Sequence, residues 1–402
     1  MISIQEALNI VLENTPSPEF VEIELSDALG KRLAKDIFSP FPSPRFNNST
    51  MDGFAVKWED DQNKKSFNII GESKAGAPFK GEVGRGEAAA ISTGARIPDG
   101  TDTVIPIEEI EKEGNKIRII NAVNKSQNIR ISGEEYKINE LLIPKDTNLS
   151  SAQIALLASI GKSKVKVYKN PAVSIIATGT ELNQASAELQ EDKIFNSNSV
   201  MLESAVKECR GNVVLSTIVE DDLSSTIEIL RRAEEISDII LFTGGVSVGE
   251  HDYVKKAAKE CGFKELFWGV KQKPGKPLFF GIKSGKYRSK LLFGLPGNPV
   301  SAYVCFFHYA AQTIFRLSCS ELLYKRLYTH TSQRIVNKKD RAQMLRVKLI
   351  NEDNSLKFKV LDKQESYMIT SISDADGYII VEENQSINKD SLVEIFLFPN
   401  RW

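Results

Sequence analysis

The chain has 402 residues, with 52 Lys and Arg against 53 Asp and Glu and a formal charge of −1. At about 150 residues per domain this length holds two to three domains, each with its own core, which excludes a disulfide-stapled miniprotein. The near-neutral balance provides no global field toward nucleic acid or anionic lipid, so recognition must be local. With 41% hydrophobic and 26% charged residues the composition is that of a soluble globular protein. The four cysteines (Cys209, Cys261, Cys305 and Cys319) form no C-x-x-C pair, and with only three histidines neither zinc nor an iron–sulfur cluster is expected. The first residues carry no basic stretch before an apolar one, and the apolar segment 291–315 is interrupted by Gly294, Pro296, Gly297 and Pro299. Neither export nor membrane insertion is expected, and a reducing, cytoplasmic setting suits the free thiols.

Ser3 and Glu6 have capping-box spacing, and Ile4, Ala7, Leu8 and Val11 recur at helical intervals until Pro16, predicting a short amphipathic helix. A strand over 20–25 and a second helix from near Ser26 follow, and Pro40, Pro42 and Pro44 mark a boundary. From Asn47 to about 123, short β runs at 67–70, 104–107 and 116–119 lie between glycines and turns, the pattern of a small β domain. A helix over 151–159 ends at Gly161. Strand and helix then alternate. Runs at 173–177, 213–218, 239–242 and 291–293 are followed by helical segments at 199–209, 224–235, 252–260 and 299–315, which predicts a parallel, doubly wound sheet. Beyond about 323, alternating strands at 344–350, 356–361, 378–381 and 392–398 predict a second β domain, a barrel or sandwich.

In an open parallel sheet the ligand sits beyond the carboxyl ends of the strands, where loop amides and helix N-termini converge. The loops expected there are Thr178-Gly179-Thr180-Glu181-Leu182, Glu220-Asp221-Asp222, Thr243-Gly244-Gly245-Val246-Ser247 running on to Asp252, and Leu295-Pro296-Gly297-Asn298-Pro299. A glycine-rich strand-to-helix turn lets an anion approach backbone amides, although tight packing alone accounts for such glycines equally well. Glu181, Asp221 and Asp252 would repel one another unless a cation or a hydrogen-bonding substrate sat among them, while each alone reads as a helix cap. Lys273 and Lys276 place two ammonium groups on the proline-rich turn Lys273-Pro274-Gly275-Lys276-Pro277, a geometry for an oxyanion or simply two solvated charges. The polar stretch 47–53, with Ser49 and Asp52, and the turn 91–100, with Thr93, are explained by turn chemistry and yield no function from composition.

Together these segments resemble the molybdopterin molybdenumtransferase family, which includes the catalytic domain of gephyrin. The likeness runs through almost the whole chain: Asn48-Ser49-Thr50-Met51-Asp52-Gly53, Ser92-Thr93-Gly94-Ala95, Thr178-Gly179-x-Glu181-Leu182, Thr243-Gly244-Gly245-Val246-Ser247-x-Gly249 with Asp252, Pro274-Gly275-Lys276-Pro277, and Leu295-Pro296-Gly297-Asn298-Pro299. It implies an α/β multidomain architecture: an elongated linker domain (1–46 and 124–168), an inserted β domain (47–123), a doubly wound molybdopterin-binding α/β domain (169–322) and a C-terminal β-barrel (323–402). It also implies a homodimer in which Asp52 and Thr93 of one subunit act at its mate's crevice.

The implied reaction converts adenylylated molybdopterin and molybdate into molybdenum cofactor, releasing AMP with Mg²⁺ assistance and no covalent enzyme intermediate. A molybdopterin adenylyltransferase would act upstream. The resemblance assigns Glu181, Asp221 and Asp252 to substrate and metal, and Gly244, Gly245 and Ser247 to phosphate. Lys273 and Lys276 remain the anion-binding pair, Ser49, Pro296 and Asn298 contact substrate, and Arg346 and Ser366 receive molybdate. The chain departs from the family pattern at Thr180, where Asp is usual, at Asn196, and at Glu365, where a glycine usually precedes the serine. A carboxylate beside a dianion site opposes binding unless it points away. Two other readings are an ATP-consuming adenylyltransferase, against which the flanking β domains speak, and a gephyrin-like scaffold, against which the lack of a long linker or extra module speaks.

Overall fold

The computed structural model describes residues 1–58, 66–121, 124–183, 191–245, 253–285, 288–320, 325–352 and 354–399. The chain divides into two compact units, Ile23–Val165 and Met1–Glu22 with Lys166–Trp402.

The first unit is built on a six-stranded mixed sheet. Its strands are β1 (Gly53–Val56), β2 (Ser66–Ser73), β3 (Glu87–Ile91), β4 (Thr103–Pro106), β5 (Ile110–Glu113) and β6 (Lys116–Ile119), in the order β4-β1-β3-β2-β6-β5. Phe54, Val56, Ala88, Ile105 and Ile117 form its main core. The helix expected from Ser26 is only a 3₁₀ turn, Leu25–Asp27. Beyond it the backbone turns at Gly30 (φ +72°) and pairs elsewhere: Gly30 N–H donates to the Leu149 carbonyl (2.8 Å) and Leu33 N–H to that of Thr147 (2.9 Å). Those long-range bonds take the donors a helix would need.

The second unit carries the predicted α/β sheet and the terminal β domain. Strands β7 (Ala172–Thr178), β8 (Asn212–Val219), β9 (Ile239–Thr243), β10 (Lys264–Trp268), β11 (Phe279–Lys283) and β12 (Lys290–Leu295) lie in the order β8-β7-β9-β12-β11-β10. The first four strands in that order are parallel, as the strand–helix alternation predicts. At the other edge β11 and β10 run antiparallel, because the connection between them is too short for a crossover helix and closes as a hairpin.

Helices cover both faces. Ile175, Leu241 and Phe293 share a core with Leu202 and Ala205 of helix Ser197–Glu208 and with Val300, Val304 and Ile314 of the segment after Pro299. Ile176, Ile240 and Leu292 face the other way, onto Leu230 and Ala233 of Leu223–Ile236 and Val254 and Ala257 of Tyr253–Glu260. Burial on both faces is why these strands read as continuous apolar runs. The capped helix Ile4–Glu13 adds Ile4, Ala7, Leu8 and Val11 to the first of these cores.

The terminal domain is a closed barrel of β13 (Arg326–Thr331), β14 (Ala342–Glu352), β15 (Ser355–Val360), β16 (Gly377–Val381) and β17 (Leu392–Leu397). Its pairing runs β14-β15-β13-β17-β16 and returns to β14, which leaves no open edge in the ring. Val347, Leu349, Phe358, Ile379 and Ile395 fill its interior.

The α/β layer and the barrel share one hydrophobic core at a π-helical turn, Phe306–Ala310, between helices Pro299–Cys305 and Ala311–Leu317. There His308 Nδ1 lies 2.8 Å from the Tyr378 hydroxyl, and Tyr378 stacks on Phe396 at 5.2 Å. Burial, with a smaller contribution from Arg326, holds the His308 imidazole down at about 3. The folded state therefore keeps it neutral where the unfolded chain, with an ordinary value near 6.5, takes up a proton. Stability from this group is complete above pH 6.5 and lost progressively as pH falls toward 3, by about 2 kcal/mol between pH 7 and pH 5. Urea midpoints at those two pH values check this, and His308→Leu should flatten that part of the slope.

Among the described residues no helix is long and apolar enough to cross a membrane.

Candidate active site

The carboxyl ends of the three adjacent strands β7, β9 and β12 open onto a crevice of about 600 Å³. Its walls are made by Thr178 and Glu181 after β7, Gly244 and Gly245 after β9, and Pro296 to Asn298 after β12, together with the start of the helix Ser197–Glu208. The doubly wound order puts these loops side by side, and the apolar runs end where the polar motifs begin.

Backbone closeness shapes the floor. Gly244 has φ +89°, and a Cβ there would lie 2.5 Å from the Thr178 carbonyl oxygen; Gly245 has φ +65°, and its Cβ would lie 2.8 Å from Thr178 Oγ1. Only glycine fits both the conformation and the space. Gly244 N–H donates to the Leu295 carbonyl (3.3 Å), tying the second loop to the third. Asn198 adds a second tie, its Nδ2 donating to Thr243 Oγ1 (2.8 Å) and to the Gly297 carbonyl (2.7 Å).

Two buried oxygens in this wall, Asn198 Oδ1 and Thr178 Oγ1, have no hydrogen-bond partner. Buried polar atoms are ordinarily satisfied, so such a pair marks where a ligand's donors or a cation would bind. Glu181 contributes a carboxylate on the same wall, folded over Gly179: a Cβ added at Gly179 would meet its two oxygens at 2.7 and 2.8 Å. Neighbouring Thr180 turns its carbonyl to the Lys193 ammonium. Asn196 caps the helix, its Oδ1 accepting from Ser199 N–H at 3.1 Å.

Asp221 follows the edge strand β8 and does not line the crevice. The adjacent Asp222 is the N-cap of Leu223–Ile236, accepting from Ser224 Oγ (2.6 Å) and Ser225 N–H (2.9 Å), and these bonds hold its carboxyl down at about 2. Ser247 and Asp252 lie outside the described residues. Among the described residues no group of three or more His, Cys, Asp or Glu side chains is placed to hold a metal.

At the rim the barrel domain contributes. Asn298 Nδ2 donates to Ser366 Oγ (3.0 Å) and Val300 N–H to the Ser366 carbonyl (3.2 Å), so Ser366 is fixed to the Pro296–Pro299 turn, and Tyr367 lines the crevice beside it. Lys273 pairs with Glu365 at 3.1 Å. Lys276 is half-buried, its carbonyl accepting from Val270 N–H at 2.9 Å. Arg346 is fully buried, with Nε donating to Ser371 Oγ (3.2 Å) and Nη2 to the Lys363 carbonyl (3.1 Å); burial lowers its value to about 10, which leaves it charged at neutral pH.

In the unit Ile23–Val165, Asp52 Oδ1 accepts from both Thr93 N–H (2.7 Å) and Thr93 Oγ1 (3.1 Å), so these two residues, 41 apart in sequence, form one group. Ser49 Oγ donates to the Met51 carbonyl at 2.6 Å and holds the turn that presents Asp52.

The structure thus gathers Glu181, Gly244, Gly245, Pro296 and Asn298 in the crevice, Ser366 at its rim, and Asp52 with Thr93 in the other unit. Sequence reasoning placed Thr178 in a crevice loop without giving it a role of its own and missed Asn198 as a site residue, since an asparagine at a helix start reads as cap chemistry.

Three family models match the chain in order: MoeA N-terminal region (domain I and II) over residues 2–161, a probable molybdopterin binding domain over 174–315, and MoeA C-terminal region (domain IV) over 330–398. The chain is 31% identical to the molybdopterin molybdenumtransferase of Haemophilus influenzae over 391 residues, 96% of this chain and 95% of that protein. It is 34% identical to that of Staphylococcus epidermidis over 342 residues, 84% and 81% of the two chains. A crystal structure of a molybdopterin biosynthesis MoeA protein from Pyrococcus horikoshii superposes with a TM-score of 0.85 at 30% identity, covering all of both chains, and a second such structure with 0.73 at 29%. Three successive domain matches, near full-length relatives and a shared fold agree with the motifs in placing this chain in the molybdopterin molybdenumtransferase (MoeA) family, transferases of molybdenum-cofactor biosynthesis.

Proposed function

We propose that this chain inserts molybdate into adenylylated molybdopterin with release of AMP, assisted by Mg²⁺, acting as a cytoplasmic homodimer supplied by a molybdopterin adenylyltransferase. The observation that carries this reading is the crevice at the ends of β7, β9 and β12, whose walls carry polar side chains above a floor of Gly244 and Gly245 closed against Thr178. Gly244 and Gly245, closed against Thr178, give the phosphoanhydride a backbone floor, and Asn198 and Asn298, fixed by their bonds to Gly297 and Ser366, present their remaining amide groups to the substrate. Ser366 supplies a hydroxyl donor and Lys273, Lys276 and Arg346 supply positive charge for the tetrahedral dianion at the barrel side. Asp52 and Thr93 of one subunit, already hydrogen-bonded to each other, act as one polar group on the substrate in the other subunit's crevice.

The donors fit a hard divalent cation: the Glu181 carboxylate, the Asn198 Oδ1 and the Thr178 Oγ1 are all oxygens, two of them buried and unsatisfied. Asp252 is the further carboxylate proposed for it; Asp221, which does not line the crevice, is not. When bound, Mg²⁺ would screen charge developing on the phosphate oxygens. Fixed dipoles and charges, rather than a nucleophile, then do the catalysis. Purified protein given adenylylated molybdopterin should release AMP only when molybdate and Mg²⁺ are both present. AMP release without molybdate, or none with both, would refute the assignment.

A further inference from the structure

We propose that Glu365 is a built-in competitor for the oxyanion site beside Ser366, occupying Lys273 until a tetrahedral dianion displaces it and so weakening the chain's hold on molybdate. The inference rests on the reading of Lys273 and Ser366 as the place where molybdate is received.

Both oxygens of Glu365 face the Lys273 ammonium, at 3.3 and 3.1 Å. A second ammonium, Lys339, lies against Lys273, and the proximity lowers its proton affinity. The buried Arg346 adds a third positive charge whose field reaches Glu365. Lys273 above all, then Lys339 and Arg346, hold the Glu365 carboxyl below its usual range, so it remains an anion at neutral pH. Two adjacent ammonium groups call for an anion between them, and here the chain supplies its own.

The framework around this pair is fixed while the pair itself is not. Gln272–Lys273 is a short strand on the barrel edge, paired with Ala342 and Gln343. Buried Gln272 is held by the Tyr309 hydroxyl at 2.5 Å, and Ser366 by Asn298. The two long side chains of the pair are themselves 33% and 51% exposed. An ion pair this open to water is weakly held and therefore exchangeable. A dianion arriving at Ser366 meets a neighbouring carboxylate one residue away, which must swing off Lys273 for the ammonium to turn to the new ligand.

Equilibrium dialysis of the full chain against molybdate at fixed ionic strength tests this, with Glu365→Gln, Lys273→Ala and the double variant. Glu365→Gln keeps the shape and removes the charge, and is expected to bind molybdate about tenfold more tightly. Its KM for molybdate should fall in parallel, with the KM for the pterin substrate unchanged. Lys273→Ala should weaken binding and cancel the gain in the double variant. Unchanged or weaker binding by Glu365→Gln, with Lys273→Ala still harmful, would overturn the competitor role and leave the molybdate site standing. No effect of Lys273→Ala in either background would overturn both.

Discussion

Replacing Glu181 by alanine is expected to slow molybdate insertion by about 10²–10³-fold while moving the thermal midpoint by no more than about 2 °C. The side chain is exposed and folds over Gly179, so its removal opens no buried cavity, whereas the crevice loses the carboxylate it shares with two unsatisfied oxygens. Gly179→Ala is the companion experiment. Its new methyl group would meet the Glu181 oxygens at under 3 Å and push aside the far end of a flexible side chain, so the loss of activity should be smaller, about tenfold, while φ +155° strains any side chain and costs about 1 kcal/mol of stability. AMP release and melting, followed on the same preparations, separate this from simple unfolding. Full activity in Glu181→Ala would remove the residue from the site.

Gly244→Ala should fail differently, losing about 3 kcal/mol or more of stability together with activity. Here the obstacle is backbone: the added Cβ would stand 2.5 Å from the carbonyl of Thr178 on the neighbouring central strand, and φ +89° suits no side chain. Neither strand can rotate away without breaking the β7–β9 ladder. Gly297→Ala is the control within the same crevice, since its Cβ would meet nothing closer than Gly244 Cα at 3.7 Å and should leave the melting curve in place. Denaturant unfolding of both variants reads the contrast directly. Equal midpoints would mean that the floor of the crevice is not close-packed backbone.

How far these features were legible in the sequence depended on the range of the interactions that create them. The strand–helix alternation was legible because burial on both faces writes an unbroken apolar run, as in β7 and β9, and the helices announce themselves by caps such as Ser3 and Asp222. The antiparallel edge formed by β10 and β11 was not, since pairing direction is set by connection length and leaves no mark in the composition of a short strand. Position 346 shows the same limit. Alternation along β14 makes an arginine there look like an outward charge, yet it is wholly buried because helix Thr370–Asp374 and the loop carrying Lys363 fold over it. Glu365 was conspicuous as a misplaced carboxylate, but its partner lies 92 residues away and only the folded chain reveals it. The crevice loops themselves were readable as motifs, whereas the contact that closes Asp52 onto Thr93 depends on sheet register.

The most direct test of the central claim is a crystal structure of this protein with adenylylated molybdopterin bound. The pterin phosphate should lie on the Gly244–Gly245 floor, within hydrogen-bonding distance of Asn198 and near Asn298 at the rim. Density for the ligand elsewhere, for example in the separate cavity lined by Arg45, Asn48 and Arg130, with the crevice at the ends of β7, β9 and β12 left empty, would contradict the account.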